Sequence, residues 1–155
     1  MVVFLDTEFS DMVHPELLSV GLVDEAGRAL YVELDDVGPS VCSAFVQAAV
    51  LPLLQGPAVS RARAEELLLE YLAAYQGDDV VLWSDSPAYD VTLLRELFEV
   101  APPWRVEVPS FEDDRHQTAY YCAVERAFTA GLRRHHALDD AKAARAGWLA
   151  LQAMP

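Results

Sequence analysis

The chain has 155 residues, 53% hydrophobic and 23% charged, enough for one domain with a real core and too apolar for a disordered or low-complexity segment. Asp plus Glu total 25 against 11 Lys plus Arg, so the net charge of −14 gives a surface that repels polyanions at large. Two distant cysteines fit no metal or redox spacing, no apolar run reaches the length of a membrane span, and MVVFLDTEFS lacks the basic region of a signal peptide, so a reduced cytoplasmic setting away from membranes is expected.

Val2 to Thr7 is short and β-rich and predicts a strand. Leu17 to Asp24 and Arg28 to Leu34 predict two more, and the spacer Glu25-Ala26-Gly27 between them is a hairpin signal. Ser40 to Gln55 holds a helix that ends before Pro52. Ser60 to Tyr75 carries Leu and Ala at helical spacing, with Glu65 and Glu66 near its start, and predicts a helix. Asp79 to Trp83, a short apolar run after Gly77, predicts a buried strand. Tyr89 to Val100 predicts a helix closed by Pro102-Pro103, and Val106 to Val108 a fifth strand. Thr118 to Ala130 predicts a helix stopped at Gly131, and Leu138 to Met154 the last helix. This order predicts an α/β fold. Three antiparallel N-terminal strands join parallel strands in a mixed sheet covered by helices, in a single domain over 1–155.

Asp6 and Glu8 flank Thr7 on the first strand, and residues two apart in a strand share a face. Two like charges on an apolar strand are costly to bury without a cation, and all-oxygen ligands suit a hard divalent ion such as Mg2+ or Mn2+. The alternative is a strand end where both acids face water. Asp90 follows Pro87 and falls in the first turn of a helix, where it serves that chemistry or complements the helix dipole. Asp85 is a nearby competitor, although Ser84-Asp85-Ser86 also fits a plain turn. The run His135-His136-Ala137-Leu138-Asp139-Asp140-Ala141 puts His135 and Asp140 five apart, a separation that a continuous helix does not place on one face. With His135 in a loop and the helix starting near Leu138, the imidazole folds back toward Asp140, poised over carboxylates to take a proton. A polar loop leading into an N-cap is the other reading. Six of the 11 basic residues lie between Arg115 and Arg145, as a local basic rim or as a solvated helix face. His14 and His116 have no partner at informative spacing and read as surface or satisfied histidines, and Cys42 and Cys122 read as small buried hydrophobes.

FLDTEF at Phe4 to Phe9, SPAYD at Ser86 to Asp90 and HHALDDA at His135 to Ala141 occur in that order. Together they resemble the three exonuclease motifs of the DEDDh 3'-5' exonuclease superfamily, which has a ribonuclease H-like fold. With ELLSVGLVDEAGR after the first motif, the chain is most similar to the small stand-alone bacterial 3'-5' exoribonuclease branch. The resemblance implies two divalent metal ions, Mg2+ or Mn2+. Asp6, Glu8 and Asp140 would hold one, Asp6 would bridge to the second, and Asp90 would reach the second directly or through water. The ions would activate the attacking water and stabilise the leaving 3' oxygen. His135 would be the general base. His136 stands beside it, but the motif spacing to Asp140 favours His135, so His135→Ala should be severe and His136→Ala mild. Thr7 to Phe9 would meet the 3'-terminal nucleotide, with Phe9 stacking on a base or lying in the core. The implied reaction removes 5'-mononucleotides from short or single-stranded RNA, favoured over DNA, by a two-metal-ion mechanism. A single-stranded DNA exonuclease of the same family, an inactive ribonuclease H-like binding module and a metal-dependent phosphatase or nucleotide hydrolase stand as alternatives. Relatives are often homodimers, so the resemblance allows a homodimer.

Overall fold

A computed structural model describes residues 1–75 and 80–154. Strands β1 (Val2–Phe9), β2 (Leu17–Asp24) and β3 (Ala29–Glu33) open the chain. They are followed by α1 (Ala44–Ala49), α2 (Arg61–Leu72), β4 (Val81–Trp83), α3 (Pro87–Arg95), β5 (Arg105–Glu107), α4 (Asp114–Thr129) and α5 (Ala137–Gln152). The sheet runs β3-β2-β1-β4-β5, with β2 antiparallel to both neighbours and β4 parallel to β1 and β5. This open mixed sheet covered by helices is α/β and consistent with the ribonuclease H-like fold.

Strand alternation sorts β1 between two cores. Val3 and Leu5 pack with Leu68 of α2 and Leu94 of α3 on one face. Phe4 points to the other, where it meets Trp83, Tyr120 of α4 and Ala141 of α5. Asp6 and Glu8 continue the Phe4 face, so the first carboxylates lie on the side covered by α5. The β2–β3 hairpin turns as expected: Gly27 takes a positive φ of 94°, and the Asp24 N–H donates to the Arg28 carbonyl at 2.9 Å.

Several boundaries differ from the sequence expectation. Strand β1 continues to Phe9, so Glu8 lies within the sheet, paired with Ser19. Helix α1 does end before Pro52 as expected, and Pro52 sits in a separate short 3-10 turn, Leu51–Leu53. Helix α3 begins at Pro87, whose fixed φ suits a first helical turn, and stops at Arg95. Beyond it Phe98 packs edge-on against Trp104 with ring centroids 5.4 Å apart, which takes the chain out of helical geometry. Strand β5 sits one residue earlier than expected. Helix α4 begins four residues before Thr118 because the Asp113 carboxylate caps it, accepting from the N–H groups of Arg115 and His116. The same residue satisfies His116, whose Nδ1 lies 2.8 Å from Asp113 Oδ1. Cys42 is buried as expected, but Cys122 is exposed on α4. Asp79, the predicted start of the fourth strand, and Gly77 before it lie outside the described residues.

Candidate active site

The β1–β4 pairing ends at Phe4 opposite Trp83, so β1 projects beyond its neighbour. A backbone N–H in that projection needs another acceptor if it is buried. Asp90, in the first turn of α3 and 2% exposed, fills the gap. Its Oδ1 accepts from the Thr7 N–H at 3.1 Å and from the Thr7 hydroxyl at 2.7 Å. Its Oδ2 accepts from the Ser84 hydroxyl at 2.5 Å. Thr7 is buried with its hydroxyl directed at Asp90, although it also borders the cavity beside Phe9.

The other half of the site comes from the start of α5. Asp6, Gly21 and Tyr31 are cross-strand neighbours on β1, β2 and β3. A Cβ at Gly21 would lie 2.3 Å from the Ala137 carbonyl carbon and the Leu138 nitrogen, so only glycine lets the helix start rest directly on the sheet. From that seat the two histidines diverge. His136 is the N-cap of α5, buried and stacked on Tyr31 with ring centroids 4.4 Å apart, and its Nδ1 accepts from the Asp139 N–H at 3.4 Å. Burial, followed by the Arg133 charge, lowers its pKa. His135 turns toward β1. It adopts a left-handed φ of 62°, held by its own N–H donating to Asp140 Oδ2 at 2.8 Å. Its ring meets Phe45 of α1 edge-on at 5.0 Å. Asp139, the other acid of the motif, faces away and accepts from Arg133 Nε at 2.6 Å.

Two groups of donor atoms result. Glu8, His135 and Asp140 offer atoms all within 4.8 Å of one another, and so do Asp6, Asp85 and Asp90. Asp6, Glu8, Asp90, His135 and Asp140 are thus brought to one place. Asp85, the nearby competitor of Asp90 in the sequence, joins them. Its signal is a position just past the C-terminal end of β4, the edge where the motif residues collect.

These carboxylates are electrostatically strained. Burial raises Asp6 well above the usual carboxylate range, and repulsion from Asp90, Asp140, Glu8 and Asp85 raises it further. Burial pushes Glu8 up to about 8, with Asp140 and Asp90 adding to it. Burial also raises Asp90 to about 6, against the opposing hydrogen bonds from Ser84 and Thr7. Asp140 likewise rises to about 6, burial outweighing the backbone hydrogen bonds from His135 and His136. Without a cation Glu8 retains its proton near neutrality, and Asp90 and Asp140 hold theirs to about pH 6; a bound cation favours release from all of them. An oxygen-rich donor set carrying excess negative charge suits Mg2+ or Mn2+.

Two cavities flank the cluster and share Asp6, Ser86 and His135. One, of about 740 Å3, is apolar, with Phe9, Met12, Phe45, Val46 and Tyr89 on its walls. There Phe9 stacks nearly parallel on Tyr89, with ring centroids 5.0 Å apart. The other, of about 460 Å3, opens toward α4 and includes Tyr121, Phe128 and Arg134.

Residues 43–152 match the family described as the 3'-5' exoribonuclease Rv2179c-like domain. That span holds Asp90, His135 and Asp140, while Asp6 and Glu8 precede it. Two relatives from Mycobacterium tuberculosis are each 33% identical over 119 residues, covering 74% of this chain and 71% of theirs. One is the 3'-5' exoribonuclease MT2234.1 of strain CDC 1551 / Oshkosh, the other the 3'-5' exoribonuclease Rv2179c of strain ATCC 25618 / H37Rv.

Proposed function

The chain belongs to the 3'-5' exoribonuclease Rv2179c-like domain family, and on that footing we propose that it removes 5'-mononucleotides from the 3' end of short or single-stranded RNA. The observation that carries this reading is the convergence of a histidine and the motif carboxylates at the projecting end of β1. Asp6, Glu8 and Asp140 would hold one divalent ion, and Asp6 and Asp90 a second, with Asp85 within reach of the latter pair. Two bound Mg2+ or Mn2+ ions would supply an acidified water and charge stabilisation for the leaving 3' oxygen.

The remaining steps belong to the side chains. His135 takes the proton of the attacking water; its place beside Glu8 and Asp140 keeps it within reach of that water. The Thr7 and Ser84 hydroxyls hold the Asp90 carboxylate in one orientation, so this ligand needs little reorganisation on binding. The apolar cavity at Phe9 and Tyr89 accepts the 3'-terminal nucleoside by stacking and apolar contact, which carries no sequence code. The net charge of −14 opposes long duplexes and leaves the neutralised pocket as the favourable place for a strand end. No helix among the described residues is long and apolar enough to cross a membrane.

The test is a digestion ladder. A 5'-labelled single-stranded RNA and its DNA counterpart are incubated with Mg2+, Mn2+ or EDTA, beside the Asp6→Asn protein. The expected result is a metal-dependent ladder shortening from the 3' end of RNA, releasing 5'-mononucleotides and lost in the variant. Shortening of DNA alone would make this a DNA exonuclease. Release of inorganic phosphate would make it a phosphatase, and no cleavage in either metal a binding module.

A further inference from the structure

Most of the basic residues between Arg115 and Arg145 are paired, while Arg126 on α4 is exposed. Arg115 pairs with Asp113 at 2.8 Å, Arg133 with Asp139 at 2.6 Å, and Lys142 with Asp139 at 3.9 Å. Arg145 donates to the Glu25 carbonyl at 2.7 Å. Arg134 differs in where it stands. Among the described residues it is the one cation on the wall of the cavity that holds Asp6, His135 and Asp140. Its Cζ lies 4.1 Å from the Phe128 ring centroid, which braces the guanidinium. One terminal nitrogen contacts both carboxylate oxygens of Glu125, at 2.7 and 2.6 Å. Its Nε and other terminal nitrogen donate to no acceptor among the described residues, so most of the guanidinium fork is free. Both side chains of the pair are half exposed or more, and an ion pair this wet holds weakly.

We propose that Arg134 binds a phosphate of the RNA strand where it crosses this cavity from the carboxylates toward α4, and that Glu125 competes with that phosphate for the same guanidinium. The inference rests on the RNA reading above. A single-stranded polyanion must cross a molecule of net charge −14, and a planar donor fork next to His135 matches a phosphate's paired oxygens. Tyr121, half exposed on the same wall, offers a face on which a base of that strand can stack. Glu125 presents two oxygens to Arg134 much as a phosphate would. It therefore lowers affinity for strands that reach α4 and favours those that end sooner.

The two partners of the pair give opposite predictions, which a purely structural ion pair would not. The probe is a 5'-fluorescein single-stranded RNA with hydrolysis-resistant phosphorothioate linkages at its 3' end. Its binding to the full chain is read by anisotropy in Mg2+ over a series of salt concentrations. Arg134→Ala should weaken binding about tenfold and flatten the slope of log affinity against log salt by about 0.7, the share of one phosphate contact on a single strand. Arg134→Lys should restore the slope and part of the affinity. Glu125→Gln should tighten binding severalfold. With unmodified RNA the effects should fall on KM more than on kcat. Equal weakening by Arg134→Ala and Glu125→Gln would make the pair a structural brace and overturn the inference, as would an unchanged salt slope in Arg134→Ala. If the unaltered protein binds no RNA at any salt, the RNA reading itself falls, and the inference with it.

Discussion

Adjacent histidines with the same side chain sit in different surroundings here, and what each ring touches predicts a different task. His135 lies within 4.8 Å of Glu8 and Asp140, while His136 is stacked on Tyr31 and capped onto Asp139. Removing the first should damage chemistry, and removing the second should damage the fold. His135→Ala is expected to lower kcat on the order of 10²–10⁴-fold, with a melting curve close to that of the parent. His136→Ala leaves a ring-sized gap against Tyr31 and should lower stability by about 2 kcal/mol or more, read by thermal unfolding. A parent-like melt in His136→Ala, with kcat lost, would reverse the two roles. The placement of His135 beside Asp140 was legible in its motif spacing. That of His136 was not, because its partner Tyr31 lies far away in sequence and only the β2–β3 register brings it beneath α5. Asp85 was left between ligand and plain turn for a related reason. Its turn residues look ordinary until the projecting end of β1 is placed beside them.

At the scale of elements, the site is made by two mismatches. Strand β1 outruns β4, and α5 begins against a notch in β2. The hairpin, the parallel return to β4 and the final helix were all readable from period and turn chemistry. Pro87 marked the first turn of α3, but the start of α4 was not readable, since Asp113 acts as a helix-start signal more strongly than the apolar pattern after it. The notch is testable. In Gly21→Ala the new methyl would sit 2.3 Å from backbone atoms of α5, so the helix start must lift by about an ångström. A shift of that size in His135 and Asp140 should reduce kcat on the order of 10²-fold. It should also lower the melting temperature. A variant that keeps full kcat would show that α5 does not depend on close contact at Gly21 to aim these residues.

For the whole molecule, the carboxylate cluster makes stability depend on pH and metal together. Glu8 near 8, Asp90 and Asp140 near 6 and a raised Asp6 all bind protons more tightly folded than unfolded. Between about pH 4 and pH 8 the folded state therefore holds more protons, and stability falls as pH rises through that window. The general repulsion of an acidic surface acts in the same direction. In EDTA the melting temperature should decline from pH 5 to pH 8. Mn2+ should restore more of it at pH 8 than at pH 6, because binding then displaces fewer protons. Glu8→Gln should flatten the EDTA profile, which separates the cluster from the surface charge. A metal-free protein that grows more stable toward pH 8 would count against a strained cluster. The topology also orders events in time. Asp6 and Glu8 leave the ribosome well before His135 and Asp140, and the site closes only when α5 reaches its seat on Gly21. A half-made chain thus carries an open, incomplete pocket, and the message being translated is not exposed to a finished nuclease until that helix has docked.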